Sequence, residues 1–192
     1  MIKKAYDEFG RPCFDLYFMN LCFDISIKSL DPNTKHGCLV VDKEGSTLST
    51  GYNSPPRKCN DKIIPLYKND VPYLNKYSYI VHSESNAICS AAKKGTSIEN
   101  SIFYITGFPC VSCLELIIQS GAYKVVYGPL SSNMFTEDYM KIYDILLDGQ
   151  SIIIERFKYD KELFKLNRHA NKAVLDKQNN GGIIKIDKEY NV

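Results

Sequence analysis

Two short stretches constrain this chain more than anything else in it: His82-Ser83-Glu84 and Pro109-Cys110-Val111-Ser112-Cys113. Imidazoles and thiolates are metal ligands. One His with two Cys makes three ligands, the count of a catalytic zinc that keeps one position for water, whereas a structural zinc takes four. Cys110 and Cys113 are three apart, so on the first turn of a helix both sulfurs share a face. Pro109 sits where it does not interrupt that helix. Thiolates at a helix N-terminus are favoured by the macrodipole and the free N–H groups. His82 also opens a helical stretch, so two helix N-termini are expected to point at one ion. Glu84 comes close through the same turn without having to ligate, which suits it to moving protons. A CxxC with a distant His also serves structural zinc, and a Glu in a first turn also serves as a helix-end charge partner. Against both stand four agreeing features: HxE, PCxxC, the two helix starts, and a strand between them.

The rest of the composition removes other classes. The 192 residues suffice for one domain with a proper core. A net charge of +2 with scattered basic residues argues against a nucleic-acid partner. No apolar run approaches the roughly 20 residues of a membrane span, and the first ten residues lack the apolar run of a signal peptide. Seven cysteines, an odd number with two in a CxxC, fit a reducing compartment, so the cytoplasm is expected.

Dense apolar residues over 15–29 predict a buried helix, ended before Leu30-Asp31-Pro32. A strand over 37–41, a turn at 42–45 and a returning strand over 46–52 make a hairpin. Residues 53–80 form a long connection with several prolines and tyrosines, expected to pack over the site. Helices over 82–94, 110–120 and 136–147 alternate with strands over 101–106, 124–127 and 151–155, which implies a parallel portion of sheet. Residues 160–177 are expected to form another helix, and 183–186 an edge strand or tail. The domain is drawn at 1–159, with 160–192 as a C-terminal helix and tail.

Beyond the metal pattern, Asp31-Pro32-Asn33-Thr34, Gly51-Tyr52-Asn53, Val81-His82-Ser83-Glu84 and Phe108-Pro109-Cys110 resemble the deoxycytidylate (dCMP) deaminases of the cytidine deaminase superfamily. The resemblance covers roughly residues 15–156. It implies a three-layer α/β/α sandwich with a mixed, roughly five-stranded sheet, and hydrolysis of dCMP to dUMP and ammonia. It implies Zn2+ on His82, Cys110 and Cys113, with Glu84 as the proton shuttle. Asn53 and the backbone at Ser83 would meet the nucleotide. It further implies homo-oligomers (hexamers or dimers), activation by dCTP with Mg2+ and inhibition by dTTP. The chain departs from the usual pattern in having Ser at 83 and 85, and Ser54-Pro55-Pro56-Arg57-Lys58 where a glycine-containing loop is usual. Cys59 lacks a neighbouring His or second Cys, so one zinc is expected.

Other candidates follow from position. Arg57 could neutralise a 5′-phosphate or be a solvated loop residue. Tyr127 is a substrate-side or core tyrosine, and Asn86 a sugar contact or a helix-surface amide. His36 and His169 have no partner spacing and read as ordinary. The competing functions are a deaminase of another cytosine nucleotide or of a base in nucleic acid, and a catalytically silent zinc-stabilised binding module.

Overall fold

The structure, a computed structural model, describes residues 6–130 and 136–157. The first helix, α1, spans Phe14–Ser26 and buries Leu16, Phe18, Met19, Cys22 and Phe23. It ends three residues short of the expected 29. Ser26 Oγ donates back to the Phe23 carbonyl, and residues 27–29 close i→i+3 bonds in its place.

β1 (Gly37–Val41) and β2 (Thr47–Tyr52) form the expected antiparallel hairpin. Its turn is closed by Asp42, whose carboxylate accepts from the Ser46 and Glu44 N–H groups, and by Gly45 at φ +90°. α2 (Ser83–Lys94) follows, stopped by Gly95 in the left-handed region. Then come β3 (Ile102–Gly107), α3 (Val111–Gln119), β4 (Lys124–Leu130), α4 (Glu137–Leu147) and β5 (Ile153–Arg156). α4 is capped by Thr136, whose side chain accepts from the Tyr139 N–H. β4 outruns the expected 124–127: it continues through Gly128 and Pro129, with a register shift against β3. Tyr127 therefore lies inside a strand and does not end it. The helix expected over 160–177 and the strand or tail at 183–186 lie outside the described residues, as does the C-terminal part of the domain division.

The strands are ordered β2-β1-β3-β4-β5. β1 is antiparallel to both its neighbours, while β3, β4 and β5 run parallel. β2 therefore points the same way as β3, and α2 and α3 both start from carboxyl ends on one edge of the sheet. Alternation along the strands separates two cores. Leu39, Val41, Tyr104 and Val126 pack on α1, while Cys38, Val40, Phe103, Ile105 and Val125 pack on residues of α2, α3 and α4. These are the three layers and the mixed five-stranded sheet that the sequence led us to expect. No helix among the described residues is long and apolar enough to cross a membrane.

Gly51 sets the closeness of α2 to the sheet. A Cβ there would collide with the Ser83 carbonyl and lie 2.5 Å from the Ala87 nitrogen. The long connection of residues 53–80 contains two short 3₁₀ turns, Pro72–Leu74 and Lys76–Ser78, and most of its side chains are exposed. It is fastened by one buried ion pair, Lys76 Nζ to Asp31 Oδ2 at 2.6 Å. Asp31 Oδ1 meanwhile accepts from the Asn33 and Thr34 N–H groups. Removing one partner of a buried pair strands the other charge. Lys76→Met should therefore lower the unfolding free energy by about 3–5 kcal/mol in urea titration. Lys76→Met combined with Asp31→Asn should lose less. An undisturbed single variant would contradict this.

Candidate metal centre and active site

His82 is the N-cap of α2 and Cys110 the N-cap of α3. Both helices begin at the same sheet edge, so the two stretches meet there. His82 Nδ1 lies 3.3 Å from Cys110 Sγ and 3.4 Å from Cys113 Sγ. His82 makes no side-chain cap hydrogen bond, which leaves its ring turned to the sulfurs. Among the described residues these three form the group able to hold a metal ion, with ligand atoms all within 4.8 Å of one another.

The donor set fits zinc. Two thiolates and an imidazole suit this borderline-soft ion. A tetrahedral ion with sulfur at about 2.3 Å and nitrogen at about 2.0 Å separates such ligands by about 3.5 Å, close to the spacing found. The protein's own groups already favour a thiolate. Cys110 is pushed down to about 4 by the hydrogen bond from the Cys113 thiol and by His82. Cys113 is pushed up because it keeps the proton it shares with Cys110. The bond to Cys110 likewise raises His82. Ser85 Oγ lies 3.9 Å from Cys113 Sγ, a weak contact within reach of its hydroxyl proton.

Glu84 is buried next to the triplet, and Ser83 Oγ donates to its Oε2 at 2.7 Å. This pairing depends on the serine that departs from the usual family pattern. Behind Cys110, an aromatic row buttresses the turn. The Phe108 ring meets Tyr127 edge-on at 4.8 Å and Tyr143 at 5.0 Å, and Tyr143 Oη donates to the Pro109 carbonyl at 2.8 Å. Tyr127 is thus tied to the turn that carries Cys110. Tyr143 was missed in sequence because nothing but its place on an apolar helix face marks it.

Asn53 is buried, and its amide is engaged with the segment before β1. Its Oδ1 accepts from the His36 N–H at 2.7 Å and its Nδ2 donates to the Thr34 carbonyl at 3.0 Å. One amide N–H remains. Arg57 is exposed and lines a cleft of about 230 Å³ with Tyr52, Ser54, Asn86 and Ser90. That cleft includes neither the metal triplet nor Glu84 in its lining. Asn86 donates to the Tyr52 carbonyl and to Ser54 Oγ, so it ties α2 to the end of β2. His36, which reads as ordinary in sequence, lies at the site. Its ring is within electrostatic reach of Glu84, His82 and Cys110. The sequence signal was present but indirect: His36 immediately precedes a strand whose start is brought to the metal edge only by its antiparallel pairing. His169 lies outside the described residues.

Replacing a ligand should weaken metal binding, while replacing a buried thiol outside the triplet should not. His82→Ala and Cys113→Ala should each lose zinc affinity by about tenfold or more in competition with a chromophoric chelator. Cys38→Ala, at a buried thiol on the sheet, should bind as the parent does. Unchanged affinity in the ligand variants would contradict the assignment.

Comparison with known proteins supplies the family. The model of the cytidine and deoxycytidylate deaminase zinc-binding region matches residues 13–129, more than half of the chain. A probable deoxycytidylate deaminase of Caenorhabditis elegans is 39% identical over 125 residues, 65% of this chain and 62% of the relative. The deoxycytidylate deaminase of Pongo abelii is 32% identical over 142 residues, 73% of this chain and 78% of the relative. The chain thus spans 62% of the length of the nematode protein, under two thirds. The crystal structure of the dCMP deaminase of cyanophage S-TIM5 superposes with a TM-score of 0.55 at 24% identity, covering 77% of this chain and 99% of that one. At that identity the likeness speaks for the fold, and it agrees with the three layers described above. On the sequence match over residues 13–129, the chain belongs to the cytidine and deoxycytidylate deaminase family.

Proposed function

We propose that the chain hydrolyses dCMP to dUMP and ammonia. The observation that carries this reading is the buried Glu84 carboxylate beside His82, Cys110 and Cys113, held by Ser83 Oγ. Its neighbourhood supports a proton carrier in a ligand set with room for one more partner. Relatives named as deoxycytidylate deaminases support the substrate.

In this reading His82, Cys110 and Cys113 hold Zn2+. When bound, the ion supplies a Lewis acid that makes water a competent nucleophile near neutral pH. Glu84 takes one proton from the water to ring N3. It then passes the proton of the hydroxyl formed at C4 to the leaving amine, so that the C4–N bond breaks as the C4 carbonyl forms and ammonia departs. The hydrogen bond from Ser83 keeps one carboxylate oxygen oriented and leaves the other for the proton. The backbone at Ser83 and the spare N–H of Asn53 bind the nucleotide. Tyr127 supports the pocket through Phe108. Arg57 has the charge to meet a phosphate, although it lines the neighbouring cleft.

A homo-oligomer, dCTP with Mg2+ as activator, dTTP as inhibitor and a cytoplasmic location belong to the same reading. The family resemblance supports the assembly and effectors. Seven cysteines, all free, support the reducing compartment.

The test is an ammonia-release screen of the zinc-loaded chain over dCMP, CMP, dCTP, deoxycytidine and single-stranded DNA. Release from dCMP above the others is expected. Release only from another substrate, or none with zinc bound, would overturn the substrate. Glu84→Gln should keep its zinc and lose turnover by roughly 100-fold to 10,000-fold, the range for a general acid–base group. Full turnover in that variant would rule out the shuttle and leave the substrate assignment standing.

A further inference from the structure

His36 is brought to the site by sheet topology. β1 is antiparallel to β2 and β3, so the start of β1 lies between the carboxyl ends of both, with Gly37 opposite Tyr52 and Cys38 opposite Ile105. The His36 backbone is clamped to Asn53 twice. Its N–H donates to Asn53 Oδ1, and its carbonyl accepts from the Asn53 N–H at 3.2 Å. The ring is hemmed in as well, since a Cβ at Gly107 would stand 3.2 Å from its Cε1.

Hydrogen-bond satisfaction fixes which ring nitrogen carries the proton. Thr106 is fully buried, and its Oγ1 accepts from the Gly37 N–H at 3.1 Å. The hydroxyl proton of Thr106 also needs an acceptor. His36 Nδ1 lies 3.2 Å away, and Thr106 has no other acceptor among the described residues. Thr106 therefore donates to Nδ1, and the neutral ring carries its hydrogen on Nε2. Burial pushes the imidazole below its ordinary range, against the pull of Glu84, so the neutral form is the one present near pH 7. Nε2 has no hydrogen-bond partner among the described residues. The residue as a whole is half-buried. A donor is thus left on a half-buried ring, backbone-clamped, that feels the Glu84 carboxylate.

We propose that the Nε2–H of His36 is a substrate-binding donor that meets the C2 carbonyl of the cytosine ring. The inference rests on reading the site as a cytosine nucleotide deaminase. Glu84 serves ring N3 in that reading, and the carbonyl at C2 is attached to the next ring atom. Of the charged groups around His36, Glu84 weighs most, ahead of His82, Asp31 and Cys110. A donor there selects rings bearing an acceptor at that position and discriminates against rings that lack one.

The test uses the zinc-loaded chain, His36→Val, which has no donor, and His36→Gln, which keeps an N–H. dCMP and its 2-thio analogue, a weak acceptor, are the substrates. His36→Val should lose about tenfold in kcat/KM and in calorimetric affinity for dCMP. Zinc content should stay at the parental value. The urea midpoint of His36→Val should fall, because the buried Thr106 hydroxyl loses its acceptor. With activity and affinity read where each variant is folded, His36→Gln should recover part of the loss. The difference between parent and His36→Val should shrink with the 2-thio compound. Equal behaviour of His36→Val and parent on dCMP, or an equal loss on both compounds, would overturn the proposal. Should the parent bind dCMP without releasing ammonia, the reaction reading falls, while a weakened affinity in His36→Val still upholds the contact. Should the parent neither bind nor turn over dCMP, both fall.

Discussion

Two helices beginning at one edge of one sheet are the constraint on which the site depends. α2 and α3 each follow a strand that points the same way, so their N-caps, His82 and Cys110, arrive side by side. A helix N-terminus carries unpaired N–H groups and partial positive charge, which suits thiolates and a carboxylate. The same geometry delivers Glu84 one step into α2 and Cys113 one turn into α3. The close approach at Gly51 holds α2 in this place, because no side chain fits between β2 and the helix.

The remaining contacts act on that meeting point from three directions. Ser83 fixes the Glu84 carboxylate from within α2. The row Tyr127–Phe108–Tyr143 supports the Pro109–Cys110 turn from the parallel half of the sheet and α4. Asn53, His36 and Thr106 lock together the ends of β2, β1 and β3. Asp31 and Lys76 then tie the long connection to the segment that leads into β1. Each group is rigid because its polar atoms are used. Among the described residues, His36 Nε2 and one N–H of Asn53 are the donors in this lock without a protein partner.

The layers and the metal triplet were legible in sequence because both rest on local pattern. Leu39 and Val41 alternate with Cys38 and Val40, and residue types at fixed spacing mark His82, Glu84, Cys110 and Cys113. What was not legible came from pairing between distant segments. His36 carries no motif, and only the antiparallel placement of β1 brings it to Glu84. The Asp31–Lys76 pair joins residues 45 apart, and neither looks unusual alone. Tyr143 reads as one more apolar position of α4 until its hydroxyl meets Pro109. Boundaries moved for local reasons too: Ser26 turned its hydroxyl back into α1, and β4 ran on through Gly128 and Pro129 by way of a register shift.

The claim beneath all of this is that one ion is shared by three side chains from two helix starts, with a place left over. X-ray absorption at the zinc edge of the loaded protein reads that shell directly. Zinc on His82, Cys110 and Cys113 gives two sulfurs at about 2.3 Å with two lighter atoms at about 2.0–2.1 Å, one of them imidazole nitrogen. A shell of three or four sulfurs, or one without sulfur, would contradict it.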